Sequence, residues 1–224
     1  NIGFQKTYSK SSYITDSGAS GTAMATGEKT NNGHISVKPS GEELTTILEL
    51  AEQNGLATGL ASTSNILHAT PASFIAHNVD RDNYEDLAAD FLKTDIEVFI
   101  GGGRKNFADR GDGRDLIQAL KNNDYQVLSD MSEITNVKEG KLAGLTAEGH
   151  NPRFSEGRGD MLPQATQTAL NILDNNRKGF FLMVEGSQID WGGHDNNTGY
   201  IVEELMDFNR ACEVPMDFAK KHPE

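Results

Sequence analysis

Leu44-Thr45-Thr46-Ile47-Leu48-Glu49-Leu50-Ala51-Glu52-Gln53-Asn54-Gly55-Leu56-Ala57-Thr58-Gly59-Leu60-Ala61-Ser62 is the stretch on which the reading of the fold turns. Over residues 44–53 the apolar side chains recur at helical spacing, and after Gly55 comes a short, mostly apolar run, residues 56–62, that ends in a Ser/Thr cluster. A helical period followed by a compact apolar run predicts a helix feeding a buried strand. The pattern recurs along the chain: residues 83–93 read as helix and 96–100 as strand, 114–122 as helix and 125–128 as strand, 162–174 as helix and 180–184 as a fully buried strand. Residues 198–221 read as a long amphipathic helix that Pro215 should kink or interrupt, because proline lacks the N–H and crowds the preceding turn. Residues 129–160, rich in Gly, Glu and Asn and without clear periodicity, read mainly as irregular connection. Alternating helices and strands predict an α/β fold with a parallel sheet covered by helices. In such sheets sites form beyond the carboxyl ends of strands, which directs attention to residues 63–81, 101–104 and 185–194.

The composition narrows the function. A chain of 224 residues can bury roughly 70% of the surface its unfolded form exposes, so a peptide hormone or a small stapled scaffold is excluded. Twenty Lys and Arg against 33 Asp and Glu give a net charge of -13, the wrong sign for coating nucleic acid or an anionic membrane. An anionic substrate therefore needs a local positive site. The single cysteine, Cys212, excludes an internal disulfide framework and a Cys-rich zinc site, and leaves the compartment open. No run of about 18 apolar residues is present, so no bilayer span is expected. Residue 1 is Asn rather than Met, and Lys220-Lys221-His222-Pro223-Glu224 reads as a helix stopping at a proline. The expectation is a piece of a longer protein.

Three segments could carry chemistry. Thr15-Asp16-Ser17-Gly18-Ala19-Ser20-Gly21-Thr22 sets an acid and a serine before small residues where a helix could begin; small side chains let a backbone approach an anion. Alone, a serine there reads as an ordinary helix cap, and Thr22 breaks the G-x-S-x-G elbow of serine hydrolases. Glu185-Gly186-Ser187-Gln188-Ile189-Asp190-Trp191-Gly192-Gly193-His194 places two carboxylates and an imidazole after a strand, with glycines between, a donor set suited to zinc or magnesium. Its position after a strand raises it above a solvated glycine turn. His68-Ala69-Thr70-Pro71, followed by His77 and by Arg81, offers a hydroxyl, imidazoles and a guanidinium whose planar fork suits phosphate. His77 reads as structural.

Together these segments resemble the alkaline phosphatase family: Asp16-Ser17-Gly18-Ala19-Ser20-Gly21-Thr22 is similar to its nucleophile signature, His68-Ala69-Thr70-Pro71 with Arg81 to its magnesium and phosphate segment, and residues 185–194 to its central metal segment. The similarity extends to Gly101-Gly102-Gly103-Arg104 and Gly199-Tyr200-Ile201-Val202-Glu203-Glu204. The resemblance implies a three-layer α/β/α sandwich with a mostly parallel central sheet, of which residues 1–224 form the central part of a single catalytic domain. It implies that Ser17 is the nucleophile that becomes phosphoserine, that Asp16 orients Arg81 on the phosphate, that Asp190 and His194 bind the first of two zinc ions, and that Thr70 and Glu185 bind magnesium. His68 and Trp191 fall at flanking positions that differ between branches of the family. Further ligands in the family lie outside this sequence, so the isolated chain is expected to be inactive and to expose apolar surface. The implied substrates are small phosphate monoesters, the implied compartment is the periplasm or the exterior, and a homodimer is expected.

Other readings stay open at this level. A phosphodiesterase or sulfatase relative would share the fold, and a non-catalytic anion-binding domain would share the scaffold. Asp109-Arg110-Gly111-Asp112-Gly113-Arg114-Asp115 suggests a calcium loop, but Leu120 stands where the twelfth-position glutamate belongs, so a solvated turn accounts for it better.

Overall fold

The structure, a computed structural model, describes residues 3–222, so Pro223 and Glu224 of the expected terminal helix stop lie outside the described residues. The chain sorts into two units: residues up to Asn54 with Leu67–Thr94, and Gly55–Ile66 with Asp95 onward.

The first unit carries helices α1 (Ser17–Thr26), α2 (Ile47–Gln53), α3 (Ala69–Ala72) and α4 (Tyr84–Asp90). Helix α1 begins because the Asp16 side chain accepts from the Ala19 N–H and ends because Gly27, at φ 75°, adopts the left-handed cap. Helix α2 starts later than its apolar period, at a reciprocal cap in which Thr46 Oγ1 accepts from the Glu49 N–H and Glu49 accepts from the Thr46 N–H.

The second unit holds strands β1 (Ala57–Asn65), β2 (Val98–Gly102), β3 (Tyr125–Leu128), β4 (Lys141–Leu145) and β5 (Phe180–Glu185). Among them run helices α5 (Arg104–Ala108), α6 (Leu116–Asn122), α7 (Met131–Ile134), α8 (Met161–Leu173), α9 (Gln188–His194) and α10 (Thr198–Lys221), with a short 3₁₀ turn at Phe154–Glu156. The sheet has the order β3-β4-β2-β1-β5 and every pairing is parallel. Alternation along the strands separates two buried faces. Val98, Ile100 and Leu142 pack with Leu162, Ala165, Ala169 and Leu173 of α8, whereas Phe99 stacks on Phe107 of α5 at 6.0 Å. Helices therefore cover both faces, as the α/β expectation required.

Four local expectations are corrected. Residues 129–160 contain strand β4 and helix α7; β4 escaped notice because Lys141-Leu142-Ala143-Gly144-Leu145 is short and carries small residues, and a Cβ on Gly144 would meet Ile100 and Ile134 at 3.1 Å. Strand β5 is not fully buried: all six residues are partly exposed, because among the described residues it pairs only with β1 at the sheet's end. Pro215 does not interrupt α10, whose last turns are held by the Phe218 ring against Phe180 of β5 at 5.8 Å. Residues 188–194 form a helix rather than a glycine turn; Gly192 is small because a Cβ there would lie 2.9 Å from the Ile201 nitrogen of α10.

In the Asp109–Asp115 run the Asp112 carboxylate is taken by Arg110 at 2.5 Å and Arg114 at 2.6 Å, and Arg110 leads the groups that hold its carboxyl far below the usual range. The run is an ion-paired turn. A buried cluster also ties the second half of residues 129–160 to α10: Arg158 donates to Glu204 at 2.5 Å and to Asp207 at 2.9 Å, all three side chains being at most 1% exposed. Removing one partner of such a cluster costs about 3–5 kcal/mol, whereas a surface pair such as Lys38–Glu42 is screened by solvent.

Candidate active site

The candidate residues fall in both units. In the first, Asp16 is the hub. Its Oδ1 accepts from the Ala19 N–H at 2.9 Å, and its Oδ2 accepts from the Gly33 N–H at 2.9 Å and from Arg81 Nη1 at 3.1 Å. Burial pushes the Asp16 carboxyl upward, but these donors outweigh it and hold the group below its ordinary value, so it is an anchor and not a proton donor. The cap of α1 is thus Asp16, and Ser17, half-buried, is the first helical residue. Arg81 is fixed at its backbone by a 2.7 Å bond to Gly33 O, and its Nη2 lies 3.3 Å from His68 Nε2. A guanidinium can only donate, so His68 Nε2 accepts and the His68 proton sits on Nδ1. His68 precedes α3, which carries Thr70.

Small residues in α1 serve packing. A Cβ on Gly21 would stand 2.8 Å from Ser73 Oγ and 3.4 Å from the Thr70 Cα, and one on Gly18 would stand 2.9 Å from His34 O. Both glycines are buried against protein, which corrects the reading of them as a backbone cradle for an anion. His77 is bonded through both nitrogens, to Ser36 O at 2.9 Å and Glu49 Oε1 at 3.0 Å, a position inside the unit's framework.

In the second unit Glu185 ends β5. Its Oε2 accepts from Ser187 Oγ at 2.5 Å and Ser62 Oγ at 3.2 Å, and these hydroxyls lie 2.8 Å from each other, with Ser64 Oγ 2.8 Å from Ser62 and 3.0 Å from Ser187. The carboxylate is oriented by this hydroxyl triangle. Asp190 Oδ2 and His194 Nε2, one turn apart on α9, lie 3.3 Å from each other and are 65% and 78% exposed. Two ligands each about 2.0–2.1 Å from a tetrahedral zinc stand about 3.3 Å apart, so this oxygen–nitrogen pair fits two positions of such an ion. Among the described residues no group of three or more His, Cys, Asp or Glu is arranged to hold a metal. Trp191, between the two donors, presents its ring to His150 edge-on at 4.7 Å.

Within the first unit the structure joins Asp16, Arg81 and His68 by hydrogen bonds and packs the α3 segment bearing Thr70 on α1; within the second it places Glu185, Asp190, Trp191 and His194 on β5 and α9. Sequence reasoning missed Ser62, Ser64, Ser187 and His150. Ser62 and Ser64 had a legible signal, since residues two apart on a strand share a face. His150 had none, its partner being set by the fold, whereas Ser187 stands two residues from Glu185, its 2.5 Å partner, within a segment already singled out.

A parallel sheet with helices on both faces, carrying carboxylate and imidazole donors just past the end of β5, defines an open α/β protein of the kind that places its ligands at strand ends. The family model described as alkaline phosphatase matches residues 1–224, and the chain belongs to that family. Alkaline phosphatase 3 of Bacillus subtilis (strain 168) is 43% identical over 230 residues, covering 98% of this chain and 49% of its own length. The crystal structure of the cold-active alkaline phosphatase of the psychrophile Shewanella sp. superposes with a TM-score of 0.94 at 40% identity, over 100% of this chain and 56% of that one. A variant of the alkaline phosphatase of strain TAB5, with Mg bound in its M3 site, gives a TM-score of 0.91 at 39% identity over 97% of this chain and 63% of that one. The chain spans about half the length of the curated relatives it matches.

Proposed function

We propose that this chain is part of the catalytic domain of a metal-dependent phosphomonoesterase that hydrolyses small phosphate monoesters through a phosphoserine at Ser17. The observation that carries the reading is Arg81 held from two sides, by Asp16 and by His68, while Asp16 itself caps the helix that Ser17 opens. Each Nη of Arg81 has a second N–H beyond the bond it makes, so the fork can keep both partners and still donate to two phosphoryl oxygens. In a chain of net charge -13 this guanidinium is the local positive group that an anionic substrate needs.

Ser17 Oγ attacks phosphorus, its P–O bond forming as the bond to the leaving alcohol breaks. The serine hydroxyl gives up its proton and the alcohol oxygen acquires one from solvent. Water then opens the phosphoserine, releasing inorganic phosphate and restoring the Ser17 hydroxyl. Asp190 and His194 would hold zinc, and Thr70 and Glu185 are assigned to magnesium, with His68 and Trp191 flanking. Bound metal ions would supply Lewis-acid stabilisation of charge on the phosphoryl group and favour the ionised serine. The Ser62–Ser187 hydroxyls keep the Glu185 carboxylate in one orientation for that role.

A catalytic zinc takes about three protein ligands, and Asp190 with His194 supplies two. Hydrolysis of a chromogenic phosphate monoester at alkaline pH with zinc and magnesium is therefore expected to stay near background for the 224-residue chain. It is expected to appear in a polypeptide of the relatives' full length carrying this sequence, and to vanish in Ser17→Ala. Full zinc-dependent turnover by the isolated chain would overturn the shortage of donors; turnover surviving Ser17→Ala would overturn the nucleophile. By the same resemblance the protein is assigned to the periplasm or the cell exterior and to a homodimeric state. Among the described residues no helix is long and apolar enough to cross a membrane.

A further inference from the structure

Among the described residues, no hydrogen bond from outside α9 holds the Asp190 or His194 side chain; the one polar contact between them is their own 3.3 Å approach. Their orientation is therefore inherited from the backbone of α9, and whatever steadies α9 steadies the pair. At its first turn α9 is tied by buried Gln188, whose Nε2 donates to Thr63 O at 3.0 Å and Asn151 O at 2.9 Å and whose Oε1 accepts from Tyr200 Oη at 2.7 Å. In the middle of α9, beside Asp190, Gly192 lies close against Ile201 of α10, and on the side of Trp191 the tie is its ring against His150.

His150 is itself seated. Its Nδ1 lies 3.0 Å from the backbone nitrogen of Asn65 at the end of β1; that amide can only donate, so Nδ1 accepts and the ring is neutral with its proton on Nε2. The segment that delivers it is strapped to the end of β2: the Gly103 and Arg104 N–H groups both donate to Ala147 O, at 2.9 and 3.0 Å, and the Lys105 N–H donates to Glu148 O at 3.2 Å. Gly102 and Gly103 permit this approach. A Cβ on Gly102 would fall 2.0 Å from Gly149 O, and one on Gly103, at φ 103°, would fall 2.1 Å from Asn65 Oδ1. These two glycines thus let the strap lie close enough to seat His150 on β1.

We propose that His150 is a positioning residue: its imidazole, anchored on the Asn65 N–H, braces the Trp191 ring and so fixes the part of α9 that presents Asp190 and His194. This rests on the reading of those two side chains as zinc ligands. Outer partners of metal ligands change affinity by about 10–100-fold when removed.

Trp191 is the single tryptophan of the chain, so its emission and anisotropy report this contact without metal or turnover. The experiment compares the unaltered chain with His150→Ala, which loses bond and ring, His150→Asn, which keeps an acceptor for the Asn65 N–H, and His150→Phe, which keeps a ring. Each is measured metal-free and then titrated with Zn2+, with His194→Ala as the reference for binding elsewhere. His150→Ala is expected to red-shift the Trp191 emission, lower its anisotropy and weaken Zn2+ binding about 10-fold. His150→Asn should follow it, and His150→Phe should recover most of the metal-free signal. Unchanged emission in His150→Ala overturns the brace. Changed emission with unchanged Zn2+ affinity overturns the link from brace to ligands. Changed emission, with the unaltered chain binding Zn2+ no better than His194→Ala, supports the brace and matches the shortage of donors; the same titration in a polypeptide of the relatives' full length then decides the zinc reading, which equal binding by that polypeptide and its His194→Ala form overturns.

Discussion

His77 shows how much one residue's partners decide. Ser36 O and Glu49 Oε1 can only accept, so both ring nitrogens carry protons and the side chain is an imidazolium paired with a carboxylate. Burial pushes the His77 pKa down, but the bond to Glu49, with Ser36 and the nearby Glu43, outweighs it and raises the group above its ordinary 6.5. Glu49 is held below its ordinary 4.5, against burial, by His77 and Thr46. A raised histidine contributes stability that is complete below its unfolded pKa and is lost as pH rises through the folded one; the depressed Glu49 contribution is lost only as pH falls through its own. The pair is strongest between 4.5 and 6.5 and weakens on the alkaline side. Thermal unfolding at increasing pH should therefore show a decline of about 1 kcal/mol, or about 2–4 °C in Tm, that His77→Gln removes. A profile equally steep in His77→Gln would refute the assignment. At this scale Ser17, Arg81, Thr70, Glu185, Asp190 and His194 were readable as candidates because each stands in a recognisable local segment. His150 was not, because its partner, Asn65, lies 85 residues away; Ser187 stands two residues from Glu185, but the hydroxyl of Ser62 that joins it comes from 125 residues away.

Helix α1 makes the same point for elements. Its start and stop were written locally, in Asp16 and Gly27, but the reason for its small residues was not. Gly21 faces Ser73 of the turn after α3 at a distance no side chain can share. Gly21→Val should cost about 1–3 kcal/mol by overpacking, whereas Met24→Ala, at a side chain 58% exposed on the same helix, should stay within about 0.5 kcal/mol. Equal melting temperatures for the two variants would show that α1 is not held through Gly21. Strand β4 and the unbroken α10 were illegible for a related reason. Short strands of small residues carry little periodicity, and the contact of Phe218 with Phe180 that holds the turns beyond Pro215 is tertiary.

For the whole molecule the decisive features are charge and a terminal strand, β5, that among the described residues pairs on one side. Strand β5 has β1 as its partner among the described residues and exposes part of every side chain, while Val202, Leu205 and Met206 of α10 are 50%, 49% and 59% exposed. Parallel sheets are normally covered, and open edges attract other chains. The net charge of -13 opposes such contact at low salt but is screened beyond about 10 Å at 0.1 M ionic strength. Sedimentation of the isolated chain is expected to show association that grows with concentration and with salt; a compact monomer under all these conditions would count against it. By itself the sequence determined the helix–strand alternation, hence a parallel α/β sheet, and the candidate residues beyond the strand ends, because periodicity and short motifs are local properties of a chain. Only the tertiary structure decided the order β3-β4-β2-β1-β5, the bond from Arg81 to Asp16 and the hydroxyls around Glu185. Those link residues 65 and 123 positions apart, and no local pattern specifies which distant partner a side chain will meet.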